Sequence, residues 1–526
     1  MCLRSKSKGK RKIFVTMSGM VINIVRILQN LATNSIVIIE NFAKSLKIIQ
    51  KEKKIDFLDT LFLLFIGILC YLVFFRYLGD YSLRMWDESR NGINALEMLK
   101  NNNFLVTYFK GAPDLWNTKP PFLIWVIVAF FKLFGVSELT LRLPSAISAS
   151  LTVLLIYVFS KLILKDRWVG LLGSLIILSS MGFPDIHIGR TGDYDALLTF
   201  LTFLGSVFTF YYIESKQNKD LYLSAIFWCL AVLTKGAAGL FMIPGILLYI
   251  IIKRRLREMV CNRTFWLVSL FFVLIIGGYY LSRNIMNSGY LSAVWKEDLF
   301  GRFGKAIGAV DHNFSYYWDW LKDFRFQKWI YLLPFSFVSY FLVKSQIYKN
   351  FIIYFFILTI GYFLIISYSE TKQIWYDAQL YPLASILVAI FLLSLIRRFP
   401  ILIRLIPILI LCFYMQRYIR TNIAYIYRPD LEKDNSCLKY GYIFREYPNK
   451  FNGYVGIDKD EGFCMPFHFY LLKNDLKYKN ITDIVPGDKI ITCDSSVVSF
   501  SEHKYKIKRT MDKNGCWGLQ ILNPGI

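Results

Sequence analysis

The sequence predicts a mainly α-helical protein whose helices form a polytopic transmembrane bundle. Of its 526 residues, 55% are hydrophobic and 19% are charged, which is too apolar for a soluble enzyme of this length. Apolar runs of roughly 20 residues, enough for a helix to cross about 30 Å of hydrocarbon, recur along the chain. Lys and Arg concentrate between these runs, so the net charge of +25 indicates the lipid bilayer, and not nucleic acid, as the partner.

Residues 1–56 are predicted to form a cytoplasmic segment that lies on the membrane surface. They begin with a basic cluster and continue with apolar residues at helical spacing, interrupted by Arg26 and Gln29. This pattern favours an amphipathic helix in the membrane interface, with a first span as the alternative. A signal peptide would have an uninterrupted apolar core and a small-residue cleavage site, and neither is clear here.

Residues 57–426 are predicted to form the membrane domain, with about eleven spans. The spans are expected to begin near Leu58, Leu143, Trp168, Ala196, Leu221, Leu240, Phe265, Trp329, Phe351, Gln379 and Pro400. The stretch from Phe122 to Phe134 holds only about 13 residues, so it is better sized for a helix lying in the external interface.

The distribution of basic residues gives the orientation of this domain. With Phe122 to Phe134 outside the count, most loop Lys and Arg residues share the side of the basic N-terminus. They are Lys161, Lys165, Arg167, Lys216, Lys219, Lys253, Arg254, Arg255, Arg257, Arg263, Lys344, Lys349, Arg397, Arg398 and Arg404. The short loops opposite hold only Arg190, Lys235 and Lys372. The N-terminus is therefore expected in the cytoplasm, and an odd number of spans puts the C-terminus outside.

Residues 427–526 are predicted to form a small extracytoplasmic α/β domain. They lack apolar runs and contain short strands such as Gly453–Ile457 and Lys489–Thr492, separated by Asn, Asp and Gly turns. An oxidising exterior would permit two disulfides in any of three pairings, with buried free thiols as the alternative. The cysteines concerned are Cys437, Cys464, Cys493 and Cys516.

Four polar clusters lie on the external side of this topology. They are the runs Trp86-Asp87-Glu88-Ser89-Arg90, Asn117-Thr118-Lys119-Pro120-Pro121, Gly189 through Leu197, and Leu233-Thr234-Lys235-Gly236. Charged groups at the rim of a bilayer are costly and mark functional sites. Asp87 and Asp195 can take a proton from a hydroxyl, and Arg90 and Lys119 can hold an anionic leaving group. Each cluster alone also has a structural interpretation, as a solvated helix cap or a snorkelling lysine.

In these clusters the chain resembles the polytopic, lipid-dependent glycosyltransferases of GT-C architecture, in the superfamily of aminoarabinose transferases and protein O-mannosyltransferases. The resemblance covers about residues 58 to 420 and rests on the order of its motifs, because no single motif is specific. The motifs are Trp86 to Arg90, Lys119-Pro120-Pro121, Phe134-Gly135 through Arg142-Leu143-Pro144-Ser145-Ala146, Asp195 before Leu197-Leu198-Thr199, Leu233-Thr234-Lys235-Gly236, and Thr371-Lys372-Gln373 through Tyr376 into Tyr381-Pro382.

The resemblance implies transfer of a sugar from a polyprenyl-phosphate donor to an acceptor at the outer face of the bacterial cytoplasmic membrane, by an inverting single displacement. Asp87 would then be the main catalytic carboxylate, with Glu88 beside it and Asp195 as a second acidic group. The expected ligands of the donor phosphate are Arg90, Lys119, Lys235, Lys372 and Tyr376, and the candidates for acceptor binding are Asp193 and His312. Lipid A, a glycan, a glycolipid or a protein can each be the acceptor, and the sequence selects none of them.

The resemblance supplies no case for a cofactor or a metal ion. Relatives of the aminoarabinose type often carry Glu at the position of Thr118, together with a His in the large external loop that can help to ligate zinc. Here His312 is present but the Glu is missing, so no metal site is predicted.

A transporter or flippase of lipid-linked sugars is the alternative function. A carrier would place its essential charges near the membrane midplane, in broken or repeated helices. In this chain the charges cluster at one rim and no internal repeat is seen, which favours a transferase.

Overall fold

The computed structural model describes residues 56–300, 313–426, 436–458 and 464–524. Most of the predicted surface segment 1–56 and the predicted acceptor contact His312 lie outside the described residues. The chain divides into two compact units, residues 1–64 and residues 65–526. Every residue of the candidate site belongs to the second unit.

The membrane half is a succession of helices, as the sequence predicts. In chain order they are α1 (Phe57–Cys70), α2 (Asp87–Asn101), α3 (Phe122–Phe134), α4 (Glu138–Phe159), α5 (Arg167–Ser179), α6 (Tyr194–Ser215), α7 (Asn218–Lys235), α8 (Ile243–Ile252), α9 (Leu256–Cys261), α10 (Arg263–Met286), α11 (Tyr290–Val294), α12 (Tyr316–Trp320), α13 (Ser339–Leu342), α14 (Gln346–Tyr368), α15 (Leu380–Ile396) and α16 (Ile401–Ile426). A two-stranded hairpin of β1 (Tyr108–Phe109) and β2 (Ala112–Pro113) follows α2.

Within the described residues, seven helices are long and apolar enough to cross a membrane by length and composition. They are Phe57–Phe75, Glu138–Leu164, Tyr194–Ser215, Asn218–Leu240, Arg263–Met286, Gln346–Tyr368 and Ile401–Tyr425. The shorter apolar helices are α3, α5, α8 and α15. The prediction of about eleven spans therefore stays a prediction as far as the count is concerned.

One predicted span differs from the structure. The stretch from Trp329 is broken into the segments Gln327–Leu332, Pro334–Val338 and α13, and no continuous helix of membrane length begins there. Pro334 supplies the reason, because proline lacks an amide hydrogen and its ring clashes with the carbonyl four residues earlier. The other predicted starts coincide with apolar helices.

Helix packing brings polar residues from distant parts of the sequence to one end of the bundle. Helix α6 packs on α4 and α7, and α5 packs on α15. Because α6 and α7 are joined by a very short connection, the start of α6 and the end of α7 meet at the same end. Asp195 in the first turn of α6 and Lys235 in the last turn of α7 are therefore neighbours.

The C-terminal segment contains both strands and helices. The helices are α17 (Ser436–Glu446), α18 (Met465–Lys473) and α19 (Ser495–Lys504). The strands are β3 (Val455–Gly456), β4 (Lys477–Tyr478), β5 (Lys489–Thr492), β6 (Tyr505–Lys513) and β7 (Cys516–Pro524). They form a five-stranded sheet in the order β4-β3-β5-β7-β6, parallel among β3, β4 and β5 and antiparallel at β7 and β6. Disulfides join Cys437 to Cys464 and Cys493 to Cys516.

This segment shares an apolar core with the membrane half. Phe469 of α18 packs on Gly92 of α2, where an added Cβ would meet the ring at 3.0 Å. Leu141 of α4 and Leu198 of α6 belong to the same buried cluster as Phe467 and Phe469. The strands predicted near Gly453 and Lys489 are β3 and β5, whereas a separate extracytoplasmic domain starting at residue 427 stays a prediction.

Candidate active site

Asp87 stands at the start of helix α2, directly after a strained residue. Trp86 has φ 65° and ψ −114°, a conformation that costs a non-glycine residue about 1–3 kcal/mol and is found mainly at functional sites. The Asp87 side chain is half-buried. It lies in the first turn of α2, where the amide groups of the helix N-terminus carry partial positive charge.

Glu88 is fully buried in an ion pair with Arg142 of helix α4. Arg142 Nε and Nη2 donate to Glu88 Oε1 and Oε2 at 2.6 and 2.9 Å. The amide groups of Arg84 and Gly192 donate to the same carboxylate at 2.7 and 3.0 Å. Burial alone would raise the pKa of Glu88, but the charge of Arg142 and these bonds together lower it. Each of the two carboxylate oxygens of Glu88 therefore accepts two hydrogen bonds.

The loop before helix α6 brings two further groups to Asp87. The ligating atoms of Asp87, His187 and Asp193 all lie within 4.8 Å of one another. Asp193 accepts hydrogen bonds from Thr191 Oγ1 at 2.5 Å and from Asn91 Nδ2 at 3.5 Å. Burial raises the pKa of Asp193 to about 6. This Asp-Asp-His set is of the kind that holds divalent cations.

Contacts to Trp375 and to Asp193 fix the orientation of the His187 ring. Its ring stacks on the indole of Trp375 with 3.7 Å between centroids, and its Nδ1 lies 3.4 Å from Asp193 Oδ2. Its backbone amide donates to Thr191 Oγ1 at 2.7 Å. Sequence reasoning missed His187, although one signal was available: it is one of four histidines in the chain, and it lies two residues before the polar run that begins at Gly189.

Next to this cluster lies a pocket of about 660 Å³, part of which is open to solvent. Four of the predicted site residues line it, namely Lys119, Asp195, Lys235 and Tyr376. Its other polar lining residues are Asp298, Tyr362, Ser369 and Gln379. The cluster and the pocket are adjacent because Asp193 belongs to the first, Asp195 belongs to the second, and only Tyr194 separates them.

The two lysines of the pocket are held in different ways. Lys235 Nζ donates to Asp195 Oδ1 at 2.6 Å and lies 5.1 Å from the centre of the Tyr376 ring. Gly236, with φ 56°, ends helix α7 immediately after Lys235, a backbone conformation that favours glycine. Lys119 Nζ lies 5.2 Å from the centre of the Tyr194 ring, whose hydroxyl accepts a hydrogen bond from Asn117 Nδ2 at 3.0 Å.

Arg90 and Lys372 make contacts of their own that hold them away from the pocket lining. Arg90 Nε and Nη2 donate to the two carboxylate oxygens of Asp114 at 2.8 and 2.7 Å. Burial would raise the pKa of Asp114, but Arg90 and further hydrogen bonds lower it. Lys372 is buried and donates to the carbonyl oxygen of Ser369 at 2.7 Å. Neither residue lines the pocket.

Thr118 makes a direct contact to the segment that follows helix α11. Its hydroxyl donates to Asp298 Oδ2 at 2.6 Å, and Asp298 lines the pocket. The carbonyl oxygen of Thr118 accepts a hydrogen bond from Tyr290 at 2.7 Å. Thr118, next to Lys119, is thus held through both its hydroxyl and its carbonyl group.

Comparisons with known proteins agree on one family. Residues 118–279 match the family model described as dolichyl-phosphate-mannose-protein mannosyltransferase. An uncharacterized protein of Aquifex aeolicus (strain VF5) is 27% identical over 380 residues, which is 66% of this chain and 72% of that protein. The undecaprenyl phosphate-alpha-4-amino-4-deoxy-L-arabinose arabinosyl transferase of Pseudomonas savastanoi pv. phaseolicola (strain 1448A / Race 6) is 29% identical over 187 residues, 35% of this chain and 34% of that enzyme.

The fold agrees with the sequence matches. The crystal structure of ArnT from Cupriavidus metallidurans bound to undecaprenyl phosphate matches with a TM-score of 0.63 at 13% identity, over 88% of this chain and 97% of that chain. The chain is thus similar in sequence to glycosyltransferases of the ArnT and protein mannosyltransferase type, and its fold resembles that of ArnT. The resemblance to this family that the ordered motifs predict is confirmed. The segment matched by the family model contains Lys119, Asp193, Asp195 and Lys235, so it covers most of the pocket and part of the Asp87 cluster.

Proposed function

We propose that this protein transfers a glycosyl group from a polyprenyl-phosphate-linked donor to a cell-envelope acceptor at the outer face of the cytoplasmic membrane. One observation carries the proposal: a pocket with two lysines and two tyrosines lies directly beside a carboxylate cluster, at one end of a bundle of apolar helices. A lipid-linked phosphate has a charged head and an apolar tail, and both parts find a matching environment there. The solved ArnT structure that this fold resembles was obtained with undecaprenyl phosphate.

Lys119 and Lys235 are the proposed ligands of the donor phosphate. Charge-assisted hydrogen bonds to phosphate oxygens are roughly twice as strong as neutral ones, and they strengthen further where water is excluded. Asp195 holds Lys235 at 2.6 Å and therefore sets the position of this cation, a role that differs from the catalytic one expected from the sequence. Tyr376 lies against Lys235 and borders the same pocket.

Asp87 is the proposed general base. It is half-buried and lies in the cluster beside the pocket, whereas the neighbouring Glu88 is enclosed in its ion pair with Arg142. In the reaction, an acceptor hydroxyl oxygen forms a bond to the anomeric carbon and its proton passes to Asp87. The bond from that carbon to the phosphate oxygen breaks, and its electron pair leaves with the polyprenyl phosphate. A single displacement of this kind inverts the anomeric centre.

The remaining predicted residues support these groups in the proposal. Glu88 fixes the start of helix α2 through Arg142, and Arg90 fixes the Lys119 loop through Asp114. Lys372 braces the turn that carries Ser369. Asp193 and His187 lie beside Asp87 in the same cluster and are the proposed contacts of the acceptor hydroxyl. Every step of the proposed reaction uses only groups of this chain. The alternative, a transporter or flippase of lipid-linked sugars, is not favoured because these charges lie at helix ends.

The donor assignment can be tested by direct binding. Undecaprenyl phosphate should bind the detergent-solubilised protein, and Lys119→Ala should weaken binding by roughly 10-fold or more, because it removes a charge-assisted contact worth about 1.5–3 kcal/mol. Arg397→Lys, in a pair with Asp166 at the other end of helices α5 and α15, is the matched control and should bind as the unchanged protein does. An absence of binding by the unchanged protein would refute the proposal.

The base assignment and the acceptor call for a second experiment. Asp87→Asn should abolish glycosyl transfer while the protein remains folded and inserted. Mass spectrometry of envelope lipids, glycans and glycoproteins, in cells lacking the gene and in cells complemented with Asp87→Asn, should show loss of the same sugar. Full restoration of that sugar by Asp87→Asn would remove Asp87 from the mechanism.

A further inference from the structure

We propose that Arg283 is a positioning residue for donor binding, whose buried guanidinium holds the loop that carries Lys119. The inference rests on the proposed function and adds a residue to it. Arg283 lies in the last turn of helix α10, and its side chain is completely buried. None of the sequence motifs includes it.

The guanidinium of Arg283 joins both ends of the Lys119 loop. Its Nη2 donates to Thr107 Oγ1 at 2.7 Å and to the carbonyl oxygen of Asp114 at 3.1 Å. Its Nη1 lies 3.4 Å from the carbonyl oxygen of Lys119 itself. Three points of the loop from residue 107 to residue 119 are thus tied to one side chain on a membrane helix.

Aromatic groups complete the enclosure of this charge. Arg283 Nη1 donates to the hydroxyl of Tyr279 at 2.8 Å, and the guanidinium carbon lies 4.0 Å from the centre of the Tyr290 ring. The Tyr290 hydroxyl in turn donates to the carbonyl oxygen of Thr118 at 2.7 Å. Arg283 therefore contacts Lys119 directly and is linked to Thr118 through Tyr290.

The cost of this arrangement argues for a functional role. Among the described residues, no carboxylate oxygen lies within 4.0 Å of the Arg283 guanidinium, and its Nε has no hydrogen-bond partner. Burial of a charge without an ionic partner costs several kcal/mol, so a contribution to stability alone does not explain this arrangement. It is an effective device for fixing backbone carbonyl groups, because a guanidinium presents several donors in one rigid plane.

The geometry also explains why lysine cannot replace this arginine. A lysine ammonium keeps the charge, but it is a single point on a flexible stem and cannot reach Thr107, Asp114 and Lys119 together. Arg283→Lys should therefore loosen the loop while leaving the charge in place. The expected effect is weaker binding of undecaprenyl phosphate, by roughly 5-fold or more.

A double-mutant cycle with Lys119 tests the inference in the full-length, detergent-solubilised protein. The probe is undecaprenyl phosphate, and its dissociation constant is measured for the unchanged protein, Arg283→Lys, Lys119→Ala and the double variant. If Arg283 acts through Lys119, Arg283→Lys should weaken binding in the unchanged background and change it by less than about 2-fold in the Lys119→Ala background. A general loss of stability would weaken both backgrounds equally and overturn the inference.

A milder variant guards against misfolding. Thr107→Val removes one acceptor of the guanidinium and keeps the arginine, and it should weaken binding about 2- to 3-fold, again only when Lys119 is present. Unchanged binding in both Arg283→Lys and Thr107→Val would overturn the inference and leave the proposed function standing. If the unchanged protein itself fails to bind undecaprenyl phosphate, the proposed function fails first.

Discussion

At the scale of single residues, the structure separates two adjacent carboxylates that the sequence could not tell apart. Asp87 is half-buried beside Asp193 and His187. Glu88 has 0% of its surface exposed and binds Arg142, a residue 54 positions away in the sequence. Asp87 can therefore contact a substrate, whereas Glu88 can only stabilise the fold.

This difference predicts opposite effects for the two amide substitutions. Glu88→Gln should lower the free energy of unfolding by about 3 kcal/mol or more, because it leaves Arg142 buried without its ionic partner. Asp87→Asn should change stability by less than about 1 kcal/mol, since the Asp87 side chain is only half-buried and keeps contact with solvent. Chemical denaturation in detergent micelles compares the two. Equal stability of both variants would contradict the assignment of Glu88 to the scaffold.

Asp193 should make stability depend on pH in a defined range. Burial raises its folded-state pKa to about 6, from the ordinary value of 3.8. Between these values the folded protein keeps a proton that the unfolded chain releases, so the contribution to stability is full below about pH 4 and is lost as the pH rises through 6. Thermal unfolding from pH 4 to 7 should show this slope in the unchanged protein and a smaller one in Asp193→Asn. Identical slopes would contradict the prediction.

At the scale of secondary-structure elements, helices α17 and α18 hold the turn that precedes Asp87. The hydroxyl of Tyr470 on α18 accepts a hydrogen bond from the amide of Leu83 at 3.1 Å and donates to Glu138 Oε1 at 3.0 Å. Arg445 on α17 donates to the carbonyl oxygen of Asp80 at 2.7 Å. The C-terminal segment is therefore a structural support of helix α2, which carries Asp87.

A single hydroxyl tests this support. Tyr470→Phe should lower stability by about 1–2 kcal/mol, because the Leu83 amide is left buried without an acceptor, and it should also reduce glycosyl transfer. Tyr505→Phe is the matched control, because its hydroxyl bonds the carbonyl oxygen of Ile484 within the C-terminal segment at 2.8 Å. That control should cost similar stability without loss of transfer. Equal activity of both variants would contradict a supporting role for α18.

At the scale of the whole molecule, the functional groups share one end of the helices and a second polar cluster occupies the other. Asp166, before helix α5, binds Arg397, after helix α15, and accepts from Tyr348 near the start of α14. The pocket lined by Lys119 and Lys235 lies where α14 ends and α15 begins. The proposed topology places the pocket outside and the Asp166 cluster in the cytoplasm, as the positive-inside rule requires.

Cysteine labelling tests this topology. In a background with the exposed Cys261 and Cys412 replaced by Ser, a cysteine at the exposed position Lys110 should react with an impermeant maleimide added to intact cells. A cysteine at the exposed position Leu256 should react only after the membrane is permeabilised. Ser89, in the motif from Trp86 to Arg90, is unsuitable because it is buried. The reverse labelling pattern would refute the orientation.

Much of the fold and part of the site could be predicted from the sequence. Apolar runs marked the helices because span length follows from bilayer thickness, and the order of the motifs predicted the glycosyltransferases that the chain resembles. The predicted span from Trp329 is wrong because the prediction rested on apolar composition, whereas Pro334 breaks the helix there. His187 and Arg283 escaped notice because neither belongs to a motif, and only contacts to residues distant in sequence give them a role.

The sequence by itself determined that this chain is a mainly helical membrane protein and that its ordered motifs, which include Asp87, Lys119, Asp195 and Lys235, resemble those of GT-C glycosyltransferases, because apolar length and motif order are local properties. Only the tertiary structure decided which charges are committed to one another. Glu88 binds Arg142, Arg90 binds Asp114 and Lys235 binds Asp195 across 54, 24 and 40 residues of sequence. Such pairs depend on how helices pack, and an ion pair forms where two side chains come within a few ångströms, whatever their separation along the chain.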